Sequence, residues 1–223
     1  MTRLITFDLF SALVDSRTGA SRVFDALAAQ HRWRIAGERL YEEWDRRNKA
    51  SQRDQSDWMS FAEHCSRSLA ATYDDLGLTG RPSVDTAILL GSVAGWPLWP
   101  DVAVELPRLA AAHRVGVLSN VDDDVFARTR VAPLVADGDV LTSERLRAYK
   151  PHSEIYRRAA ERAGGSLLHV ATSARDVRGA IEAGVDVIRL RRPGHELDPG
   201  GPAPAYEAAD LAELRHLLDH RGA

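Results

Sequence analysis

The stretch Leu4-Ile5-Thr6-Phe7-Asp8-Leu9-Phe10-Ser11-Ala12-Leu13-Val14-Asp15 opens with an apolar run that breaks on a carboxylate. Leu4 to Phe7 has the length and unbroken hydrophobicity of a strand buried on both faces, as strands of a parallel sheet are. Asp8 then falls at the C-terminal tip of that strand, the edge at which open α/β sheets bind ligands. Strand-like runs recur at Val115 to Leu118, Val140 to Leu141, Leu167 to Ala171 and Val185 to Leu190. Helical stretches at 102–112, 122–132, 152–164, 174–184 and 207–219 alternate with them. Alternation of this kind predicts right-handed crossovers and a mostly parallel sheet.

Between the first strand and this alternation the character changes. From about Thr18 to Val93 the chain is polar and rich in Arg, Glu, Ala and Trp, with helical spacing in Val23, Leu27 and Ala28 and again in Trp58, Phe61, Cys65 and Leu69. This predicts about four helices with no strand between them. Trp96-Pro97-Leu98-Trp99-Pro100 closes the segment, and the prolines and glycines from Pro193 to Pro204 predict an irregular surface excursion over 191–204. The expected fold is therefore α/β: a Rossmann-like parallel-sheet core of residues 1–14 and 96–223, with an inserted helical cap of residues 15–95.

Bulk properties narrow the partners. The 223 residues suffice for one sizeable core plus a small second domain, and 44% hydrophobic with 27% charged residues is ordinary for a globular protein. A net charge of −3 leaves no basic surplus for a phosphate backbone, and no stretch approaches the roughly 18 apolar residues of a membrane span. Neither nucleic acid nor membrane is expected as a partner. Cys65 is the single cysteine and the N-terminus leads straight into a strand, so no internal disulfide and no export signal are expected, and a reducing cytoplasm fits. His64 is adjacent to Cys65, but neighbouring helical positions do not face each other, which makes Cys65 a buried thiol.

Four polar groups fall at or just past strand ends: Asp8, Ser119 with Asn120, Lys150, and Thr172-Ser173-Ala174-Arg175-Asp176. In a parallel sheet these tips converge on one edge. Pro151 disfavours helical geometry at Lys150 while suiting the first turn of a following helix, so the ammonium is expected on a loop facing that edge.

The order Phe7-Asp8-Leu9-Phe10-Ser11-Ala12-Leu13-Val14-Asp15, Val117-Leu118-Ser119-Asn120, Tyr149-Lys150-Pro151-His152-Ser153-Glu154-Ile155-Tyr156 and Ala171-Thr172-Ser173-Ala174-Arg175-Asp176 resembles the four motifs of the haloacid dehalogenase-like superfamily. Each motif alone is common, but four in order are specific, and the insertion after the first resembles that superfamily's helical cap. The resemblance implies that Asp8 attacks an electrophilic carbon or phosphorus, forming an ester or acyl phosphate that water hydrolyses. It implies that Lys150 holds Asp8 ionised, and that Asp176 holds Lys150 or a water or acts as a base. Ser119 and Asn120 would orient the substrate's anionic or leaving group.

Phosphatase members of the superfamily carry a second Asp two residues after the nucleophile, because a departing alkoxide must be protonated. Here that position is Phe10. Those members also place an Asp four residues before the last motif's final Asp, to hold a metal; here it is Thr172. A halide leaves without a proton, and a haloacid's single carboxylate can be held without metal. The haloacid dehalogenases have an aromatic residue, usually Tyr, where this chain has Phe10. They differ in having Gly-Thr at Ser11-Ala12 and often Ser-Ser-Asn at Ala171-Thr172-Ser173.

The expectation is thus metal-free hydrolysis of a small haloacid-like acid, with Asp8, Lys150 and Asp176 catalytic and Phe10, Ser119, Asn120 and Ser173 against the substrate. The resemblance places a halide-contacting arginine on the first cap helices, where Arg39 is the candidate among Arg39, Arg46 and Arg47. It also implies homodimerisation. One alternative is a phosphatase or phosphonate hydrolase binding magnesium through Asp8, the main-chain carbonyl of Phe10 and Asp176. Another is a non-catalytic or regulatory relative. Asp122-Asp123-Asp124 opens a helix, where acidic residues suit the unpaired N–H groups. The eight histidines show no His-Glu-x-x-His spacing that would predict zinc. Trp44, Trp58, Trp96 and Trp99 are expected to pack the cap and its hinge, and the arginine pairs 46–47, 157–158 and 191–192 to be solvated surface.

Overall fold

Leu4–Phe7 forms strand β1, and all four of its residues are buried, as a strand flanked on both sides requires. The computed structural model describes residues 3–55 and 57–221; residues 1, 2, 222 and 223 of the expected core and residue 56 of the expected cap lie outside it. The other strands are β2 (Arg114–Ser119), β3 (Val140–Thr142), β4 (Leu167–Ala171), β5 (Asp186–Leu190) and β6 (Tyr206–Ala208). They make one parallel sheet in the order β3-β2-β1-β4-β5-β6. The strand order reverses beside β1, so the crevice between the ends of β1 and β4 is the topological switch point where such sheets bind ligands. Phe7 is in register with Val117 of β2 and Val170 of β4, which brings the residues following these three strands to one edge.

Four helices follow β1 as the insertion: α1 (Ser16–His31), α2 (Gly37–Arg53), α3 (Phe61–Leu76) and α4 (Pro82–Gly91). Their ends carry the expected signals. The Asp15 carboxylate accepts from Thr18 N, the Ser60 hydroxyl accepts from Glu63 N, and Gly77 closes α3 in the left-handed region. This helical cap joins the core through two chain crossings that pair with each other. Val14 and Leu98 form an antiparallel bridge, Asp15 N donates to Pro97 O at 2.9 Å, and Trp99 N donates to Leu13 O at 3.1 Å. No helix among the described residues is long and apolar enough to cross a membrane.

The core continues with α5 (Val102–Ala112), α6 (Asp123–Ala127), α7 (Ser143–Leu146), α8 (Ser153–Arg162), α9 (Ala174–Glu182) and α10 (Leu211–Arg221). Several expectations need correction. The helix expected over 122–132 stops at Ala127, and the Thr129 hydroxyl takes the Phe126 carbonyl just beyond its end. The segment expected as one helix over 207–219 begins with β6. Its helix starts only after Asp210, whose carboxylate accepts from Glu213 N while Glu213 accepts from Ala209 N. Pro151 precedes α8 rather than lying in its first turn, since His152 is the N-cap.

The 191–204 segment is not wholly a surface excursion. Arg192 is buried, donating to Ala12 O and pairing with Asp101, so the arginine pair 191–192 is not simply solvated. Arg47 is likewise half-buried, tied to Glu43 and Asp75. Cys65 is buried, and burial pushes its thiol pKa up.

Gly116 in β2 lies where a Cβ would meet the Asp139 carbonyl oxygen at 2.3 Å, whereas a Cβ on Gly138 would meet nothing within 4 Å. Gly116→Ala should therefore destabilise the fold by about 1–3 kcal/mol through overpacking. Gly138→Ala should stay within about 0.5 kcal/mol. Urea denaturation of both variants measures the contrast, and equal midpoints would contradict it.

Candidate active site

Asp8 N donates to Val170 O at 3.0 Å, which extends the sheet pairing by one residue and fixes the Asp8 backbone at the β1 tip. The chain then turns through a single π-helical turn, Leu9–Leu13, closed by Val14 N donating to Leu9 O at 2.9 Å. Three carbonyls of this turn are met from elsewhere: Phe10 O by Ser16 Oγ, Ser11 O by Trp99 Nε1 and Ala12 O by Arg192 Nε. Buried main-chain acceptors need such partners, so the turn is held by cap, hinge and core together. Within it Ser11 faces the carboxylate: Asp8 Oδ2 accepts from Ser11 Oγ at 2.6 Å and Ser11 N at 3.3 Å. The hydroxyl is thus supplied one position earlier than in the family pattern, where Ala12 stands.

Lys150 is 4% exposed, and its backbone is gripped by Asn120. Lys150 N donates to Asn120 Oδ1 at 2.7 Å, and Asn120 Nδ2 donates to Lys150 O at 2.9 Å. The ammonium donates to Asp8 Oδ1 at 2.7 Å, Asp176 Oδ2 at 2.6 Å and Leu118 O at 2.9 Å, which occupies all three of its protons. Burial alone would lower the Lys150 pKa, but the charges of Asp176 and Asp8 outweigh it and raise the value. Ser119 Oγ adds a long contact of 3.4 Å to Asp8 Oδ1.

Asp176 lies in the first turn of α9 and is buried. Its Oδ1 accepts from Tyr156 OH at 2.6 Å, and His169 Nε2 lies 3.2 Å from both oxygens. His169 Nδ1 in turn meets Thr6 Oγ1 at 3.0 Å, so β1 and β4 both brace the carboxylate. Burial opposes ionisation of Asp176, yet Lys150 and His169 hold its pKa far below the usual carboxylate range. Such a carboxylate is a weak base and a strong anchor for an ammonium.

Above Asp8 the cap and core frame a half-open cavity of about 110 Å³. Phe10, Tyr41, Trp44, Phe61 and Trp96 make one wall, with Phe10 stacked on Phe61 at 5.9 Å and tilted against Trp96 at 5.7 Å. The other wall is polar: Asn48, Lys49 and Gln52 from α2, Arg175 from α9, and His195 from the loop after β5. Arg175 donates to Lys49 O, Gln52 Oε1 and Lys150 O, none of them a carboxylate. Burial lowers its pKa from the ordinary guanidinium value, but an arginine stays protonated in a protein. Burial and then the charge of Lys49 push the His195 pKa down.

Of the residues singled out from sequence, Asp8, Phe10, Ser119, Asn120, Lys150, Ser173 and Asp176 all line this cavity. Arg39 does not. Its side chain is 59% exposed and paired with Glu43 at 2.7 Å. Tyr41 faces the cavity from the same helix, and two residues turn a helix by about 200°, so Arg39 points away. Arg46 is exposed beside Glu43 as well. Trp58 lies under Arg147, whose guanidinium carbon is 3.6 Å from the ring centroid; Trp44 and Trp96 are the tryptophans in the wall. Arg175, Lys49, Gln52 and His195 were missed. Arg175 stands inside the last motif, and the α2 stripe 45, 48, 49 and 52 has helical spacing, but a polar stripe ordinarily reads as a solvated face. Nothing in the sequence marks His195.

The acidic run is structural. Asp122 accepts from Phe61 N and Ala62 N at the start of α3, Asp123 from Thr142 and Arg145, and Asp124 pairs with Arg128. Among the described residues no group of three or more His, Cys, Asp or Glu side chains is placed to hold a metal. The magnesium donor set named from sequence does not fit. Phe10 O accepts from Ser16 Oγ at 2.8 Å, and both Asp176 oxygens are taken by Tyr156, His169 and Lys150.

Comparison with known proteins adds four findings. Residues 2–184 match the family model of the haloacid dehalogenase-like hydrolases. The chain is 27% identical over 232 residues to (S)-2-haloacid dehalogenase 4A of Burkholderia cepacia, covering 97% of this chain and 94% of that protein. It is also similar to the structure of L-2-haloacid dehalogenase from Xanthobacter autotrophicus, at a TM-score of 0.84 and 19% identity over 99% of each chain. The structure of that enzyme with chloropropionic acid covalently bound gives 0.82 and 22%, over 98% and 99% of the two chains. At these identities the two structures speak for the fold.

Lys150→Met leaves Asp8 and Asp176 buried without their shared cation and should cost about 3–5 kcal/mol. In the wild type the Asp176 pKa is depressed, so its stabilisation is present above about pH 4 and fades as pH falls through the folded value. The Lys150 pKa is raised, so its stabilisation is present below about pH 10.4 and fades as pH rises through the folded value. In the variant two like charges face each other, and protonating either relieves the repulsion. Urea denaturation should show a smaller deficit at pH 4.5 than at pH 7; equal deficits would contradict this assignment of the charges.

Proposed function

The chain belongs to the haloacid dehalogenase-like hydrolases, and on that premise we propose that it hydrolyses the carbon–halogen bond of a small 2-haloacid through an ester on Asp8. One observation carries this reading. The Asp8 carboxylate, compensated by Lys150 at 2.7 Å, faces a small half-open cavity in which the position two residues on is an apolar ring, Phe10, and not an acid. A departing alkoxide would need a proton from that position, and a halide needs none.

The reaction follows from this arrangement. An Asp8 oxygen attacks C2 of the acid from the face opposite the halogen, the C–O bond forms as the carbon–halogen bond breaks, and the halide leaves with the bonding pair. Water then adds to Cγ of the ester and expels the 2-hydroxy acid, restoring Asp8. The sum is haloacid plus water giving hydroxy acid, halide and a proton. Because water attacks Cγ and not C2, the configuration at C2 is inverted once. The Burkholderia cepacia relative is named for (S)-2-haloacids, and the (S) isomer is the substrate proposed here.

The side chains divide the remaining work. Ser11 Oγ and N hold Asp8 Oδ2 while Lys150 and Ser119 hold Oδ1, so the nucleophile is oriented through both of its oxygens. Asp176 positions Lys150, and its depressed pKa suits that task better than proton abstraction. Asn120 acts on the backbone of Lys150, with its amide engaged at both ends, more than on the substrate. Arg175, a half-buried cation bonded only to carbonyl-type oxygens, supplies positive potential for the acid's carboxylate. The aromatic wall takes the alkyl part and excludes water. Size sets the class: a cavity of about 150 Å³ admits a benzene ring, so one of about 110 Å³ suits a short aliphatic acid.

With chelator present, the wild type should release chloride from (S)-2-chloropropionate and yield (R)-2-hydroxypropionate. Asp8→Asn should fall by about three orders of magnitude or more. Halide release that appears only when magnesium is added, or that survives in Asp8→Asn, would refute the reading.

A further inference from the structure

Among the described residues, the polar wall of the cavity contains a buried acceptor that the protein leaves without a partner. Asn48 on α2 is 5% exposed and lines the cavity, and its Oδ1 is fully buried with no hydrogen-bond partner. Among the described residues its Nδ2 makes no hydrogen bond to the protein, and it is not fully buried. Its neighbours are committed: Gln52 Oε1 accepts from Asn120 and Arg175, Asp45 pairs with Lys49 at 2.5 Å, and Asn120 holds the Lys150 backbone. An amide whose oxygen is buried and unmet, one turn from Trp44 on α2 and lining the cavity above the nucleophile, needs a partner that enters with the substrate or as water.

The chemistry of that partner is constrained. An amide presents an acceptor and a donor side by side, and a hydroxyl is the smallest group that answers both. An ammonium is disfavoured, because Arg175 and Lys49 already bring positive charge to this wall and the Asp45 carboxylate is engaged with Lys49. A second carboxylate would find Asn48 Oδ1 as an opposing acceptor. A plain alkyl substituent would leave the amide unmet and dry. We propose that the substrate is a 2-haloacid bearing a neutral hydroxyl on C3, and that Asn48 is the specificity residue that recognises this hydroxyl. This rests on the dehalogenase reading of the same site and names its substrate class. The added oxygen fits, since the cavity of about 110 Å³ already extends from Asp8 to α2.

The test compares two acids of nearly the same shape, 2-chloro-3-hydroxypropionate and 2-chlorobutyrate, in which a hydroxyl and a methyl exchange places. A site built to bond a hydroxyl rejects the analogue lacking it, because the site's own polar group is then left unpaired. Wild type should favour the hydroxy acid in kcat/KM by roughly 10- to 100-fold. Asn48→Leu, an apolar replacement of similar size, should bring the ratio near one, and Asn48→Ser should restore part of it. No preference in the wild type, or the same preference in Asn48→Leu, would overturn the proposal. Calorimetric binding of 2,3-dihydroxypropionate and 2-hydroxybutyrate separates this failure from that of the dehalogenase reading, since it needs no turnover. A preference there, lost in Asn48→Leu, in a protein that releases no halide would sink dehalogenation alone and keep the hydroxyl site. Equal affinities for the two acids would mean that Asn48 holds only water.

Discussion

The ammonium of Lys150 is the point on which the rest of the site depends. Its three protons go to Asp8, Asp176 and the Leu118 carbonyl, so one buried cation ties the ends of β1 and β2 to the first turn of α9. Two carboxylates buried this close would repel each other without it, and a lone ammonium would not remain charged in such surroundings without them. The Lys150 and Asp176 charges therefore sustain each other, with Asp8 as the ammonium's second counter-charge. The neighbouring contacts serve the same end: Asn120 clamps the lysine's backbone, Tyr156 and His169 brace Asp176, and Ser11 takes the far oxygen of Asp8. Asp8 lines the cavity with both of its oxygens held.

The cap completes what the core begins. Alone, the strand tips would offer Asp8 to bulk water, where a carboxylate nucleophile is well solvated and slow. The α1–α4 block supplies the aromatic wall from Tyr41, Trp44 and Phe61 and the polar stripe of α2, and it is fastened across the cavity rim. Gln52 meets Asn120 and Arg175, Asp122 of the core accepts from Phe61 N and Ala62 N, and Tyr149 OH donates to Met59 O. Several of these fasteners are residues of the site itself, so closure and assembly of the site are one event in this architecture.

Much of this was legible in the sequence because it rests on local rules. The buried run Leu4 to Phe7 ending in Asp8, the alternation after Pro100 and the four helical segments of the insertion all follow from periodicity, and the sheet order then forces the strand-tip residues together. What escaped depended on contacts distant in sequence. The π turn after Asp8 is held by Ser16, Trp99 and Arg192, three residues that no window around Ser11 contains. Arg192 and His195 lie in a proline- and glycine-rich loop whose composition suggests surface, and only the β5 tip brings that loop back to the cavity. The Arg39 expectation failed on helix phase, whereas Arg175, in the first turn of α9 beside the switch point, lines the cavity. The β6 strand was missed, although Asp210 and Glu213 announced the true start of α10.

The central claim is that Asp8 becomes esterified and that water attacks its carboxyl carbon and not the substrate. A single-turnover reaction in ¹⁸O-water, with protein in excess over (S)-2-chloropropionate, tests this most directly, reading the label in the product and in the peptide that contains Asp8. The account predicts that first-turnover 2-hydroxypropionate carries an oxygen from Asp8 and no label, while the label enters the Asp8 carboxylate. Labelled product with an unlabelled Asp8 peptide would mean that water displaces the halide directly, and would contradict the account.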